Sequence, residues 1–184
     1  MGFEMTFYLK IPKERIGVLI GKNGEFKDRL EKRCRLTLQI DSETGDVTIP
    51  EETTQDPYLA LKAGDIVKAV ARGFSPERSM VLLNDDYYLA VLDIRDYVGK
   101  SSKHIHRIRS RLIGSDGKTR RLIEELGEVE LSIYGNTVGI IGDMYSIEIG
   151  KTAVDMVLSG SEHSSVYSYL ENKRREMKLR QAGF

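Results

Sequence analysis

Residues 20–24 read Ile-Gly-Lys-Asn-Gly, and residues 113–117 read Ile-Gly-Ser-Asp-Gly, 93 positions further along the 184-residue chain. Each glycine pair lies between two stretches with helical periodicity. The offset of 93 continues beyond the glycines, because the alternating apolar residues of 36–40 correspond to those of 129–133. A repeat that keeps its register through a turn, a helix and a strand predicts two copies of one small domain.

The elements around the two glycine pairs follow one order. Each copy predicts a strand, a helix, the turn, a second helix, two hairpin strands and a closing helix. The first copy is read as a strand from Met5 to Leu9, hairpin strands at 36–40 and 47–49, and a closing helix from Asp56 to near Gly73. Since the first two helices follow each other directly, each copy predicts a three-stranded sheet with helices on one face, in the α+β class.

The domain boundaries follow from this repeat. We assign residues 1–74 to the first domain and residues 87–184 to the second, which ends in a basic C-terminal helix. Residues 75–86 are interpreted as a connecting helix and linker, because Ser75 and Pro76 are typical of a helix start.

Positive charge is concentrated around both glycine pairs. The formal net charge of the chain is zero, yet Gly99 to Arg121 contains eight Lys and Arg against Asp116 alone, a net +7. Lys10 to Arg35 contains nine Lys and Arg against four acids, a net +5. A charged helix is commonly just a solvated face, but the coincidence with both turns favours a polyanionic ligand.

The turns themselves indicate a phosphate ligand. Glycine has no Cβ, so backbone in such a turn can approach a phosphate closely. The helix that follows directs the positive end of its dipole toward the same point.

Other site types have weaker support. Gly117-Lys118-Thr119 is similar to the end of a Walker loop, but that motif needs a glycine where Leu112 stands, and a strand before it. His104 and His106 have no evident third metal ligand, and the single cysteine, Cys34, excludes an internal disulfide. We therefore expect no enzyme activity, no metal and no cofactor.

Long apolar segments are also missing from the sequence. No run approaches the roughly 18 residues of a membrane span, and no basic-then-apolar leader opens the chain. We expect a soluble cytoplasmic protein with no membrane partner.

The pattern of strand, helix, GxxG turn, helix, two strands and helix resembles the KH domain of eukaryotic and archaeal RNA-binding proteins, in which the turn clamps the backbone of about four single-stranded nucleotides. The resemblance covers nearly the whole chain and implies two tandem type I KH domains. Glycine-turn residues would meet a phosphate, and apolar residues of the first helix and of the strand after the second helix would form a groove for bases.

The resemblance implies a set of RNA-binding residues in each copy. In the first copy they are Ile16, Ile20, Gly21, Lys22, Asn23, Gly24, Lys27, Leu38 and Ile40. In the second copy they are Arg107, Ile108, Arg111, Ile113, Gly114, Ser115, Asp116, Gly117, Lys118, Arg120, Leu131 and Ile133. A carboxylate beside a phosphate is repulsive, so Asp116 is alternatively expected to cap the following helix.

Three stretches of the second copy indicate one particular family among the KH-domain proteins. They are Ile105-His106-Arg107-Ile108, residues 111–120, and Leu131-Ser132-Ile133-Tyr134-Gly135 followed by Val138. They are similar to the archaeal members of the Pno (partner of Nob) family of small-subunit ribosome-assembly factors. That resemblance implies binding of single-stranded RNA near the 3′ end of small-subunit ribosomal RNA. An rRNA-processing endonuclease or a translation initiation factor is the implied protein partner.

Two functional hypotheses remain open from the sequence. In the first, both copies bind single-stranded RNA during ribosome assembly or maturation. In the second, the chain is an adaptor in which one copy binds RNA and the other docks a protein, with the acidic stretch from Asp41 to Asp56 facing a basic partner.

Overall fold

The computed structural model describes residues 6–183, and the chain divides into two compact units between Asp85 and Asp86. The fold class and the tandem arrangement are as the sequence predicts. The predicted start of the first strand at Met5 lies outside the described residues.

Unit 1 consists of one small sheet and the helices that pack on it. Its strands and helices are β1 (Phe7–Lys10), α1 (Lys13–Ile20), α2 (Glu25–Cys34), β2 (Gln39–Ile40), β3 (Asp46–Ile49), α3 (Pro57–Ala71) and α4 (Pro76–Ser79). The strands form an antiparallel sheet in the order β1-β3-β2, so β2 is an edge strand.

Unit 2 repeats the order strand, helix, helix, strand, strand, helix, with one further short helix after its first strand and one at its C-terminal end. Its elements are β4 (Tyr87–Asp93), α5 (Arg95–Val98), α6 (Ser102–Ile113), α7 (Lys118–Gly127), β5 (Glu130–Tyr134), β6 (Thr137–Asp143), α8 (Met144–Leu158) and α9 (His163–Gln181). The sheet order is β4-β6-β5, again antiparallel. The long helix α9 packs on α7 and α8 and contributes Val166, Leu170 and Met177 to the core.

The repeat is visible in the backbone as well as in the sequence. Four described non-glycine residues have positive φ, and they form two pairs 93 residues apart. Asn23 and Asp116 have φ of 54° and 52°, and Arg35 and Glu128 have φ of 52° and 54°. Because positive φ is unfavourable for a residue with a Cβ, its recurrence at corresponding positions shows that both copies make the same turn and the same helix end.

The helices form where sequence periodicity predicts them. Phe26, Leu30 and Cys34 recur at i, i+4 and i+8, and all three are buried on one face of α2. The closing helices α3 and α8 start alike, because Asp56 and Asp143 each accept two backbone N–H bonds as N-caps.

Two parts of the sequence prediction needed correction. The strand predicted at 36–40 shortens to Gln39–Ile40, because the N–H groups of residues 36–38 bond to Glu31 O, Thr53 Oγ1 and Glu31 Oε1 instead of to a strand. The four-residue helix α5 was not predicted, since it is too short to show a period.

Helix α4 continues into a 3-10 turn at Met80–Leu83, and both contact α3 of unit 1. Leu82 is buried there. The assignment of residues 75–86 as a separate linker stays a prediction. Among residues 6–183, no helix is long and apolar enough to cross a bilayer.

The burial of Cys34 leads to a testable prediction about the reactivity of its thiol. Desolvation raises the pKa of its thiol to about 11, with a smaller opposing effect from Arg33. The thiolate is the nucleophile, so a raised pKa and burial both slow its alkylation. We expect iodoacetamide at pH 8 to modify the native protein on the order of 100-fold more slowly than the guanidinium-unfolded chain. Equal rates in the two states would show that the α2 face is open to solvent.

Candidate nucleic-acid interface

The first glycine turn, residues 21–24, joins α1 to α2 through a 3-10 turn at Lys22–Gly24. Gly21 has φ 77° and ψ 174°, a region that is essentially restricted to glycine. A Cβ at Gly21 would lie 2.8 Å from the backbone nitrogen of Phe26, whereas a Cβ at Gly24 would lie no closer than 3.9 Å to Asp28 Oδ1. The first glycine therefore permits the close approach of the two helices, and the second lies at an open position in the left-handed region.

Hydrogen bonding within the first turn decides which amides can meet a ligand. The N–H of Gly21 donates to Gly17 O, and the N–H of Gly24 donates to Gly21 O. Lys22 and Asn23 are the first two residues of the 3-10 turn, so their N–H groups precede its internal bonds. The amides suited to a phosphate are those of the two inner residues, not those of the glycines. Both inner residues are exposed.

The second glycine turn, residues 114–117, reproduces this geometry between α6 and α7. Gly114 has φ 73° and ψ 175°, and its N–H donates to Ser110 O. A Cβ at Gly114 would lie within 2.8 Å of the backbone nitrogen of Thr119 and still closer to its side-chain oxygen. Ser115 and Asp116 are exposed and begin the 3-10 turn, so their amides correspond to those of the first turn.

The expectation that Asp116 caps the following helix is wrong. No side chain caps the N-terminus of α7, whose N-cap is Gly117. The residue instead adopts φ 52° and ψ 27°, like Asn23 in the first turn. Asp and Asn are the side chains that tolerate this left-handed conformation best after glycine, which explains the residue type at both positions.

Two of the predicted contact cations belong to ion pairs that are repeated in both units. Lys27 pairs with Glu31 at 3.2 Å, and Arg120 pairs with Glu124 at 3.6 Å. The same carboxylates accept the N–H of Leu38 at 2.6 Å and of Leu131 at 2.9 Å. Each pair therefore ties the helix after the turn to the edge-strand segment, which is a structural use of those cations.

The predicted groove residues separate into core and surface. Ile16, Leu38, Ile108 and Leu131 are buried members of the core. The half-buried residues are Ile20, Ile40 and Ile133, and Ile113 is 38% exposed. The apolar surface available beside each turn is therefore one isoleucine of the preceding helix and one of the edge strand.

Arg111 is held by the fold. Its guanidinium donates to the carbonyl oxygens of Val157 at 3.2 Å and Ser161 at 2.5 Å, at the end of α8. The ring of His163 bonds the carbonyl of Arg111 at 3.0 Å, which ties α9 to the same point. Cations near a helix C-terminus bond its unpaired carbonyls, so this guanidinium stabilises α8.

The exposed side of α6 forms an open cavity of about 700 Å³ next to the second turn. Its lining residues are Lys103, His104, His106, Arg107, Ser110, Arg111, Gly114, Ser115 and His163. None of these described lining residues is Asp or Glu, and all three histidines of the chain are among them. In the part of the chain that the structure describes, no group of three or more residues is arranged to hold a metal ion.

Arg109 is one of the cations counted in the basic segment from Gly99 to Arg121, but the sequence does not assign it as a contact residue. It lies one helical turn before Ile113, and its Nε is buried without a hydrogen-bond partner among the described residues. An offset of 93 places it opposite Ile16, which is core in the first copy. Comparison of the two copies residue by residue could have found this exchange of an apolar side chain for a guanidinium.

The comparisons with known proteins agree with this geometry. A family model described as the eukaryotic-type KH domain (KH domain type I) matches residues 88–175, and a KH domain model matches residues 6–55. A KH domain-containing protein of Methanocaldococcus jannaschii is 46% identical over 171 residues, which cover 92% of this chain and 74% of that protein. The pre-rRNA-processing protein pno1 of Schizosaccharomyces pombe is 28% identical over 172 residues, 92% of this chain and 71% of that protein.

Solved structures extend the similarity to the whole fold. The crystal structure of Dim2p from Pyrococcus horikoshii has a TM-score of 0.84 and 48% identity, covering 92% of this chain and 99% of that one. An a/eIF2α–aDim2p–rRNA complex from the same organism contains a chain with a TM-score of 0.87 and 47% identity, covering 95% of this chain and 96% of that one. With two KH units in the same order and nearly full coverage, the chain belongs to the Pno1/Dim2 family of tandem KH-domain proteins.

Proposed function

We propose that this protein binds single-stranded RNA through its two glycine turns and acts, without catalysing a reaction, at the 3′ region of small-subunit ribosomal RNA during ribosome assembly in the cytoplasm. The observation that carries the proposal is the pair of turns with the same backbone geometry, each with two exposed inner residues before a helix. The pre-rRNA-processing name of the fungal relatives and the rRNA in the Pyrococcus complex support the choice of RNA.

In the proposed mechanism, a phosphate accepts hydrogen bonds from the amides of Ser115 and Asp116, at the positive N-terminal end of α7. Lys118 and Arg107 add charge beside it, and both are exposed. Ile113 and Ile133 provide apolar surface on which a base can pack. The first turn offers the corresponding amides at Lys22 and Asn23 and the apolar surface of Ile20 and Ile40, with Lys22 itself as the added cation.

The second copy is proposed as the stronger RNA site, because its turn lies in the segment of net charge +7. A protein partner is also proposed, since the Pyrococcus relative is found with a/eIF2α as well as rRNA. An initiation factor or an rRNA-processing endonuclease fits this class of partner. Crosslinking of the protein to cellular RNA should place the contacts at the small-subunit rRNA 3′ end; contacts spread evenly over the transcriptome would contradict the proposal.

Salt dependence measures how many cations meet phosphates. Each contact on a single strand contributes about −0.7 to the slope of log affinity against log salt. Changing Arg107 and Lys118 together to alanine should flatten this slope by about 1.4. Arg111 is left unchanged, because its guanidinium bonds the end of α8.

The matched control for this measurement removes two exposed cations from α9, Arg175 and Lys178. Arg175 lies 12 residues beyond His163, about 18 Å further along the helix. The control should leave the slope unchanged. If both double variants flatten it equally, the basic segment of α6 and α7 has no special part in binding.

A further inference from the structure

The outer face of α6 carries a line of residues that the two-turn mechanism does not use in full. Lys103, Arg107, Ser110 and Gly114 follow each other at intervals of four, three and four, so they lie on one face of the helix. The line spans 11 helical steps from Lys103 to Gly114, about 16 Å at the rise of an α-helix. It leads directly into the second turn.

The cavity along this line is positive. Lys103, His106 and Arg107 are exposed, and no described Asp or Glu lines the cavity with them. Such a surface with donors on several side chains fits a phosphate.

Helix α9 contributes one residue, His163, to the lining of the cavity. His163 reaches it from the first turn of α9, where its ring bonds Arg111 O at 3.0 Å and stacks on Tyr167 with the ring centroids 6.0 Å apart. The hydroxyl of Tyr167 is 2.8 Å from the Thr119 hydroxyl of α7. Because a carbonyl oxygen only accepts, His163 Nε2 donates the bond to Arg111 and so holds α9 against α6 beside the second turn.

The first copy has only part of this surface. At an offset of 93, Lys103 and His106 correspond to Lys10 and Lys13, but Arg107 corresponds to Glu14 and Ser110 to Gly17. Lys10 lies in β1, where it pairs with Asp46 at 3.6 Å, and not on the first helix. Among the described residues, the positive line that runs along a helix into the turn is therefore a feature of unit 2.

We propose that this cavity is a second phosphate site, which holds the RNA backbone outside the four nucleotides at the second turn. The inference rests on the proposed function and extends it, because it makes unit 2 bind a longer stretch of single strand than unit 1. Lys103 and His106 are the residues assigned to the added site, Arg107 lies between it and the turn, and His163 holds α9 beside it.

The test compares two single-stranded RNAs with one core sequence, four and eight nucleotides long, by calorimetric titration of the full chain. Lys103 and His106 changed together to alanine should weaken the eight-nucleotide complex at least fivefold and leave the four-nucleotide complex within twofold. Arg175 and Lys178 changed to alanine are the matched control.

Each outcome separates this inference from the proposed function. If the double variant weakens both RNAs equally, these residues belong to the turn site. If it does not weaken the longer RNA, the cavity does not hold the RNA backbone. Either result overturns the second site. Failure of the unaltered protein to bind the four-nucleotide RNA would instead contradict the proposed function. Weakening by the α9 control to the same extent would show only a general charge effect and also overturn the site.

Discussion

Changing Ser115 to Asp in the full chain is expected to weaken binding of single-stranded RNA about tenfold, or about 1.4 kcal/mol. The new carboxylate would lie beside Asp116, at the first amide of the 3-10 turn where a phosphate must be accepted. Two like charges 4 Å apart repel by about 1 kcal/mol even at the dielectric of water, and by more at a partly covered surface. Titration of labelled single-stranded RNA followed by fluorescence anisotropy gives the affinity.

Ser115→Asn is the matched control, because asparagine has nearly the size of aspartate and no charge. It should bind within about twofold of the unaltered protein. The corresponding position in the first turn is Lys22, and Lys22→Asp changes the charge by two units where Ser115→Asp changes it by one. It should nevertheless weaken binding less, since the segment around it has the lower net charge and we propose the second turn as the stronger site. A larger loss from Lys22→Asp would make the first turn the primary site.

Duplex RNA of the same sequence should compete poorly with the single strand, because KH recognition requires splayed bases.

If Ser115→Asp and Ser115→Asn bind equally well, the second turn does not accept a phosphate.

Gly114→Ala is expected to destabilise unit 2 by about 3 kcal/mol. A backbone conformation available only to glycine costs about 1–3 kcal/mol when another residue is forced into it. The new Cβ would also displace Thr119, whose hydroxyl is 2.8 Å from that of Tyr167, and the loss of that bond costs about 1 kcal/mol. For a domain of this size the calorimetric midpoint should fall by more than about 10 °C.

Gly117→Ala provides the comparison within the same turn. Gly117 lies in the left-handed region at φ 75° and ψ 15°, and a Cβ there would meet only Arg121 Nη1, at 3.8 Å. Its cost should be about 1 kcal/mol, the ordinary penalty for a left-handed residue with a Cβ. Equal destabilisation by the two changes would contradict the different roles assigned to the two glycines.

The sequence by itself determined the repeat, the element order and the position of both turns. These features depend on local requirements that act within a few residues. A glycine-only φ and ψ at Gly21 and Gly114, a helix face at Phe26, Leu30 and Cys34, and N-caps at Asp56 and Asp143 all have sequence signals. Because the two copies are offset by 93 residues, each element assigned in one copy could be checked at the corresponding positions of the other.

Only the tertiary structure decided which charged and apolar side chains remain available to a ligand. Arg111 bonds carbonyls of residues 157 and 161, and His163 bonds back to Arg111, so their roles depend on contacts 46 to 52 positions apart in the chain. Lys27 and Arg120 belong to ion pairs that tie a helix to an edge-strand segment. Ile16 is buried in the core of unit 1, whereas Arg109 at the corresponding position of unit 2 is only partly buried. A long side chain takes the partner that packing places within its reach, and periodicity along one helix carries no information about that partner.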